Sequence, residues 1–134
     1  MKSIWLDPKF ALAYNNRGVA YKNKGELDRA IADYDEAIRL NPNYALPYDN
    51  RGNAYKDKGE YDRAIADLDA AIRLNPNYAK AYNDRGVVYA SKRDYIRAIA
   101  DYDQALTSDL DDPRLTEVRQ NRERALAATA TPPE

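Results

Sequence analysis

The chain has 134 residues, with 21 Lys and Arg against 22 Asp and Glu, a net charge of −1, and neither cysteine nor histidine. That balance argues against a nucleic-acid binder driven by bulk charge. The missing residues remove disulfides, thiol catalysis and cysteine–zinc sites, and with them the commonest general base and metal ligand. No apolar run approaches the ~18 residues of a membrane span, and the length suits one domain. A soluble, cytoplasmic chain is the favoured expectation, although nothing names a compartment.

Residues 1–10 read as the tail of a repeat whose remainder is missing. Ser3-Ile4-Trp5-Leu6-Asp7-Pro8-Lys9-Phe10 aligns with Ala37-Ile38-Arg39-Leu40-Asn41-Pro42-Asn43-Tyr44. The apolar part is too short for a signal peptide. The expectation is a chain cut from a longer repeat protein, with Met1-Lys2 at the join. Ile4, Trp5, Leu6 and Phe10 would then be partly exposed, and head-to-head or head-to-tail self-association would follow.

Three 34-residue units follow, at 11–44, 45–78 and 79–112. The first two differ at seven positions (Ala13/Pro47, Asn15/Asp49, Val19/Asn53, Asn23/Asp57, Leu27/Tyr61, Tyr34/Leu68, Glu36/Ala70). The third is a looser copy. A fixed period of this length is the signature of a solenoid. In the second unit Ala45, Tyr48, Gly52 and Tyr55 recur at helical spacing, and so do Tyr61, Ala64, Ile65, Leu68, Ala71, Ile72 and Leu74. Gly59 separates the two runs, and Asn75-Pro76 ends the second. Each unit is therefore expected to be two antiparallel helices. The first helices are expected near Ala11–Asn23, Ala45–Asp57 and Ala79–Ser91. The second helices are expected near Leu27–Leu40, Tyr61–Leu74 and Tyr95–Ser108. Gly52 and Ala64 are small where two helices approach, and one hairpin cannot bury both its apolar faces, so units must stack.

Asp111-Asp112-Pro113 is a helix-start signal. Residues 113–128 place Leu115, Val118, Ala125 and Leu126 on one side and do not match a fourth unit. They read as a capping helix, and 129–134 as a disordered tail.

These positions resemble the tetratricopeptide repeat. Its two aromatics fall on Tyr14, Tyr48 and Tyr82 and on Tyr21, Tyr55 and Tyr89. Its small residues fall on Gly18, Gly52 and Gly86, on Ala30, Ala64 and Ala98, and on Ala37, Ala71 and Ala105. Its closing proline falls on Pro42 and Pro76. The resemblance spans Ala11 to Asp112 and implies an all-α, right-handed superhelical solenoid of helix hairpins. Unit three departs from it, with Arg93 where Gly25 and Gly59 stand and Leu110 in place of the proline. The solenoid is expected to bend there, and this unit to open first. Arg17, Arg51 and Arg85 replace the family's usual leucine. Their stems are expected to pack while their heads pair with aspartates of a second helix, such as Asp33 or Asp35.

The resemblance also places a concave groove on the first helices. Its expected lining is Leu12, Asn15, Asn16, Val19, Lys22 and Asn23 in unit one. In unit two it is Leu46, Asp49, Asn50, Asn53, Lys56 and Asp57. In unit three it is Lys80, Asn83, Asp84, Val87, Ala90 and Ser91. The strip is rich in amides, which both donate to and accept from a peptide backbone. Asn16 and Asn50 are similar to the asparagine ladder of the repeats in O-linked N-acetylglucosamine transferase, and Asp84 breaks that ladder. The carboxylate clamp of chaperone-binding members is matched only at Asn50 and Lys80. Asn15, Val19 and Asp84 depart from it, which argues against tight binding of chaperone tails. Lys22 and Lys56 leave room for acidic partner segments.

The recurring Asp33/Asp35, Asp67/Asp69 and Asp101/Asp103 diverge by ~200° on a helix and recur in every unit, so they read as scaffold rather than as catalytic or metal-binding acids. The expected function is a non-enzymatic protein–protein interaction scaffold, with no cofactor or metal, that binds a peptide or helix in the groove. The alternatives are a self-associating structural segment and the targeting arm of a larger enzyme.

Overall fold

The computed structural model describes residues 8–107 and 114–130. Among these residues there are seven α-helices and no strand: α1 (Pro8–Asn23), α2 (Leu27–Leu40), α3 (Ala45–Asp57), α4 (Tyr61–Leu74), α5 (Ala79–Ser91), α6 (Tyr95–Leu106) and α7 (Arg114–Ala130). They pack as three hairpins, α1 on α2, α3 on α4 and α5 on α6, with α2 against α3 and α7 against α6. The helices divide into two compact units, α1–α4 and α5–α7. Length alone suggested one domain, but stacked hairpins touch only their neighbours and need no common centre.

Close approach inside each hairpin depends on a missing side chain. A Cβ on Gly18 would stand 2.5 Å from the Tyr34 ring, and one on Gly86 would stand 2.6 Å from Tyr102. A Cβ on Gly52 would meet Leu68 at 2.9 Å and the Ala64 carbonyl at 3.1 Å. The large residues facing these glycines, Tyr34, Leu68 and Tyr102, are almost wholly buried. Around them lie alanines with no exposed surface, including Ala30, Ala64 and Ala98. In the second unit of the fold the core continues from Tyr102 and Ala105 into Val118 and Ala125 of α7.

The hairpin turns share one hydrogen-bond pattern. Gly25 N–H donates to the Lys22 carbonyl and Glu26 N–H to the Tyr21 carbonyl, each at 2.9 Å. Gly59 and Glu60 repeat this with Lys56 and Tyr55, and Arg93 and Asp94 with Ala90 and Tyr89, all at 2.9 Å. Such paired bonds close a helix through a left-handed residue. Gly25 and Gly59 take it at φ 80° and 79°, and Arg93 takes it at φ 63°. The expected bend at Arg93 is therefore absent from this turn. The arginine adopts the glycine conformation and carries its steric cost, helped by the Asp94 side chain, which accepts from Arg97 N–H at the start of α6.

Three boundaries differ from the sequence reading. α1 includes Pro8–Phe10, which the sequence places in the preceding tail, because proline suits a first helical turn. α6 stops at Leu106, and the Thr107 hydroxyl donates to the Gln104 carbonyl at 2.7 Å. α7 runs to Ala130, so Thr129 and Ala130 are helical rather than tail. Ile4, Trp5, Leu6, Ser108, Leu110 and the Asp111-Asp112-Pro113 start signal lie outside the described residues.

Two substitutions test this account by urea unfolding. Gly86→Ala should lower stability by about 2 kcal/mol, because the Tyr102 ring is fixed in the core. Arg93→Gly should raise it by about 1 kcal/mol. An Arg93→Gly chain no more stable than the parent would show that the turn stores no strain.

Candidate functional site

Each hairpin is tied by a bidentate ion pair. Arg17 Nε and Nη2 donate to Asp33 at 2.8 and 2.7 Å. Arg51 and Asp67 repeat these distances, and Arg85 and Asp101 form the same pair at 2.9 and 2.7 Å. The guanidinium groups also lie over tyrosine rings one turn back, Tyr14, Tyr48 and Tyr82, at 5.4, 5.7 and 5.7 Å. The expected arginine–aspartate pairing is present, and Asp33, Asp67 and Asp101 are the buried partners. Arg51 has a second partner, since its Nη1 donates to Asp35 of α2 at 2.9 Å. The hydrogen bond to Asp67 holds the Arg51 guanidinium above its ordinary, already high pKa. Burial pushes the Asp67 carboxyl upward against the pull of Arg51, so the pair is costly to leave half-made.

The proposed groove positions fall into two sets. Asn15, Asp49, Asn53 and Asn83 are buried, at most 7% exposed, and are not open to a ligand. Two of them hold amide pairs between first helices and their neighbours. Asn50 donates to the Asn15 side-chain oxygen at 2.8 Å, and Asn121 of α7 donates to that of Asn83 at 3.2 Å. The second set faces outward: Asn16, Asn23 and Asp57 are exposed, while Val19, Lys22, Leu46, Asn50, Lys56, Lys80, Asp84 and Val87 are half-buried. Leu12 is 45% exposed. Lys22 lies 3.8 Å from Asp57. Lys80 is bound to Asp84 at 2.9 Å, so one of the two residues matching the carboxylate clamp is already neutralised.

In the α5–α7 unit a cleft of about 350 Å³ opens beside these positions. Val87, Ala90, Tyr102 and Ala125 give it an apolar lining, and Ser91, Asn121 and Arg124 add polar groups. Among the described residues no carboxylate lines it. Arg124 is exposed and donates to Asn121 at 3.4 Å. The contribution of α7 was missed in the sequence, where Arg124 counted only as part of a polar face. The signal was available, because Asn121, Arg124, Ala125 and Ala128 follow helical spacing beside the buried Val118.

Family models described as tetratricopeptide repeat match residues 11–44, 33–66 and 79–112, and one described as TPR repeat matches 52–93. The chain belongs to the tetratricopeptide repeat family, with that family's all-α solenoid fold. Among solved structures it is similar to the first TPR of Spaghetti (RPAP3) bound to the HSP90 peptide SRMEEVD. Identity there is 26% with TM-score 0.87, over 96% of this chain and 100% of that one. It is also similar to the TPR2B-domain:pHsp70 complex of yeast Sti1, at 27% identity and TM-score 0.84, over 89% and 98% of the two chains. The first TPR domain of human RPAP3 matches at 29% identity and TM-score 0.80, over 90% and 95%. No curated protein matches. Among the described residues no helix is long and apolar enough to cross a membrane.

The ion pairs make a separable prediction. Arg51→Leu alone should cost about 3 kcal/mol by leaving Asp67 buried without its cation. Arg51→Leu with Asp67→Ala should recover most of that loss, and a double-mutant cycle in urea measures the difference. Simple additivity of the two single changes would mean that the pair is incidental.

Proposed function

We propose that this chain is a non-catalytic protein–protein interaction module that binds an extended, mildly acidic peptide segment. The observation that carries the reading is the α5–α7 cleft, which is apolar where a side chain would enter and, among the described residues, carries one guanidinium and no carboxylate. An apolar anchor beside an acidic residue fits that chemistry. Asn16, Lys22 and Lys56 give the α1–α4 unit a polar, partly basic surface of the same kind. The similar structures support the class, since the Spaghetti domain is bound to SRMEEVD and a second human RPAP3 domain to SGPTIEEVD. Residue chemistry separates this chain from recognition of a free C-terminal carboxylate. Lys80 is held by Asp84, and Asn50 is engaged with Asn15. A non-enzymatic role is supported by the acids themselves, because Asp33, Asp67 and Asp101 are each locked to an arginine and repeated identically.

The test uses SRMEEVD as free acid and as C-terminal amide, titrated against the whole chain by fluorescence polarisation. The two forms should bind within about threefold of each other, and Arg124→Glu should weaken both by about tenfold. A free acid bound tenfold more tightly than its amide would make the chain a terminal-carboxylate receptor and overturn the reading. Insensitivity to Arg124→Glu would remove the cleft from it.

A further inference from the structure

Two helices of the fold stand in the same role. Asn121 of α7 donates to Asn83 as Asn50 of α3 donates to Asn15. Arg122 of α7 meets Asp103 as Arg51 of α3 meets Asp35. Both pairs set α7 on α3 in one register, in which Ala125 stands for Ala54 and Ala128 for Asp57. On the facing first helices, Ala90 of α5 stands for Lys22 of α1. In the α1–α4 unit Lys22 and Asp57 lie 3.8 Å apart and bridge α1 to α3. In the α5–α7 unit both places are alanine, and both alanines line the cleft of about 350 Å³. Room for a guest therefore comes from removal of the bridging pair.

The lining decides what kind of guest fits. On the α6 side stand two rings, the half-buried Tyr95 and the almost wholly buried Tyr102. Leu27 holds the place of Tyr95 in the first repeat. Burial pushes the Tyr102 phenol up to about 12, so that ring stays uncharged across the neutral range. The polar groups differ in what they can offer. The Ser91 hydroxyl is spent on the Val87 carbonyl at 3.0 Å, whereas the Arg124 guanidinium is exposed. An aliphatic guest would gain only apolar contact from these walls. An aromatic guest would gain the same contact, and in addition ring–ring contact with tyrosine and attraction to the guanidinium.

We infer that the α5–α7 cleft selects an aromatic side chain of its peptide, next to an acidic residue. The ring enters between Ala90 and Ala128 and lies against Tyr95 and Tyr102. The neighbouring carboxylate meets Arg124 at the rim. This selectivity rests on the peptide binding proposed above and adds the residue that the cleft takes. Missing side chains at Ala90 and Ala128 give the space, and the tyrosines give the preference for a ring over an aliphatic chain of similar hydrophobicity.

The probes are labelled peptides SRFEEVD, SRMEEVD and SRAEEVD, all as C-terminal amides, titrated against the whole chain by fluorescence polarisation. Phenylalanine and methionine gain similarly from burial, so their difference reports the ring. The phenylalanine peptide should bind about fivefold more tightly than the methionine peptide. It should bind at least about thirtyfold more tightly than the alanine peptide. Tyr95→Leu installs the residue of the first repeat. It should bring the phenylalanine and methionine peptides within about twofold of each other and leave the alanine peptide unchanged. Ala90→Lys with Ala128→Asp rebuilds the bridging pair of the first unit. That variant should weaken the phenylalanine peptide by at least about tenfold with thermal unfolding unchanged. Aromatic selectivity is overturned if the methionine peptide binds as tightly as the phenylalanine one, if Tyr95→Leu leaves their ratio alone, or if the rebuilt pair has no effect. Should Arg124→Glu still weaken the peptides in those cases, the cleft remains an acidic-peptide site without a preference for rings. Should Arg124→Glu weaken none of them, peptide binding at the cleft is overturned and the selectivity with it.

Discussion

The arginine–aspartate pair sixteen residues apart is the interaction on which each hairpin depends. It joins the middle of a first helix to the middle of its second helix through two parallel hydrogen bonds, and so fixes rotation as well as distance. The glycine one position on, Gly18, Gly52 or Gly86, then faces the large side chain of the second helix at contact distance. The two constraints work together. The glycine permits the approach, and the ion pair selects one register among those the small residues would allow. Tyrosine faces beneath the guanidinium supply a favourable apolar side to a charge that is otherwise costly to desolvate.

The same residue type serves a second purpose between hairpins. Arg51 also reaches back to Asp35 of α2, and Arg122 of α7 lies 2.5 Å from Asp103 of α6. Asp35 and Asp103 occupy the same place in their repeats. α3 and α7, each of which follows a hairpin within its own unit, are thus received by the same acid. That explains how α7 can pack on α6 without the tyrosine and glycine spacing of a repeat. It offers Val118 and Ala125 to the core and a cation to the waiting carboxylate.

Much of this was legible in the residues. The spacing of Tyr48, Gly52 and Ala64 carries the hairpin, and the recurrence of Arg51 with Asp67 carries the pair. What was not legible is instructive in physical terms. Arg93 looks like a broken turn in sequence. A left-handed residue without glycine costs only about 1–2 kcal/mol, and the backbone bonds from Arg93 and Asp94 that close the turn hold it. Asn15 and Asn83 look like ligand-facing amides because a periodic strip does not say how deeply each member sinks. Pairing with Asn50 and Asn121 makes them internal. The cleft beside Val87 could not be read from the repeat alone, since four of its nine lining residues come from a helix that follows no repeat pattern.

Repetition also changes what a surface means. In an ordinary domain an exposed alanine beside an arginine is unremarkable. Here the second copy of the same text reports what those residues do when covered. Ala54 vanishes into a core, and Arg51 gains a carboxylate. Sequence differences cannot account for the contrast, because Ala20, Arg17 and Lys24 are identical to their counterparts. The contrast comes from neighbours alone. Ala20 is therefore surface in one repeat where Ala54 is core in the next, and burial follows from repeat position rather than from residue type.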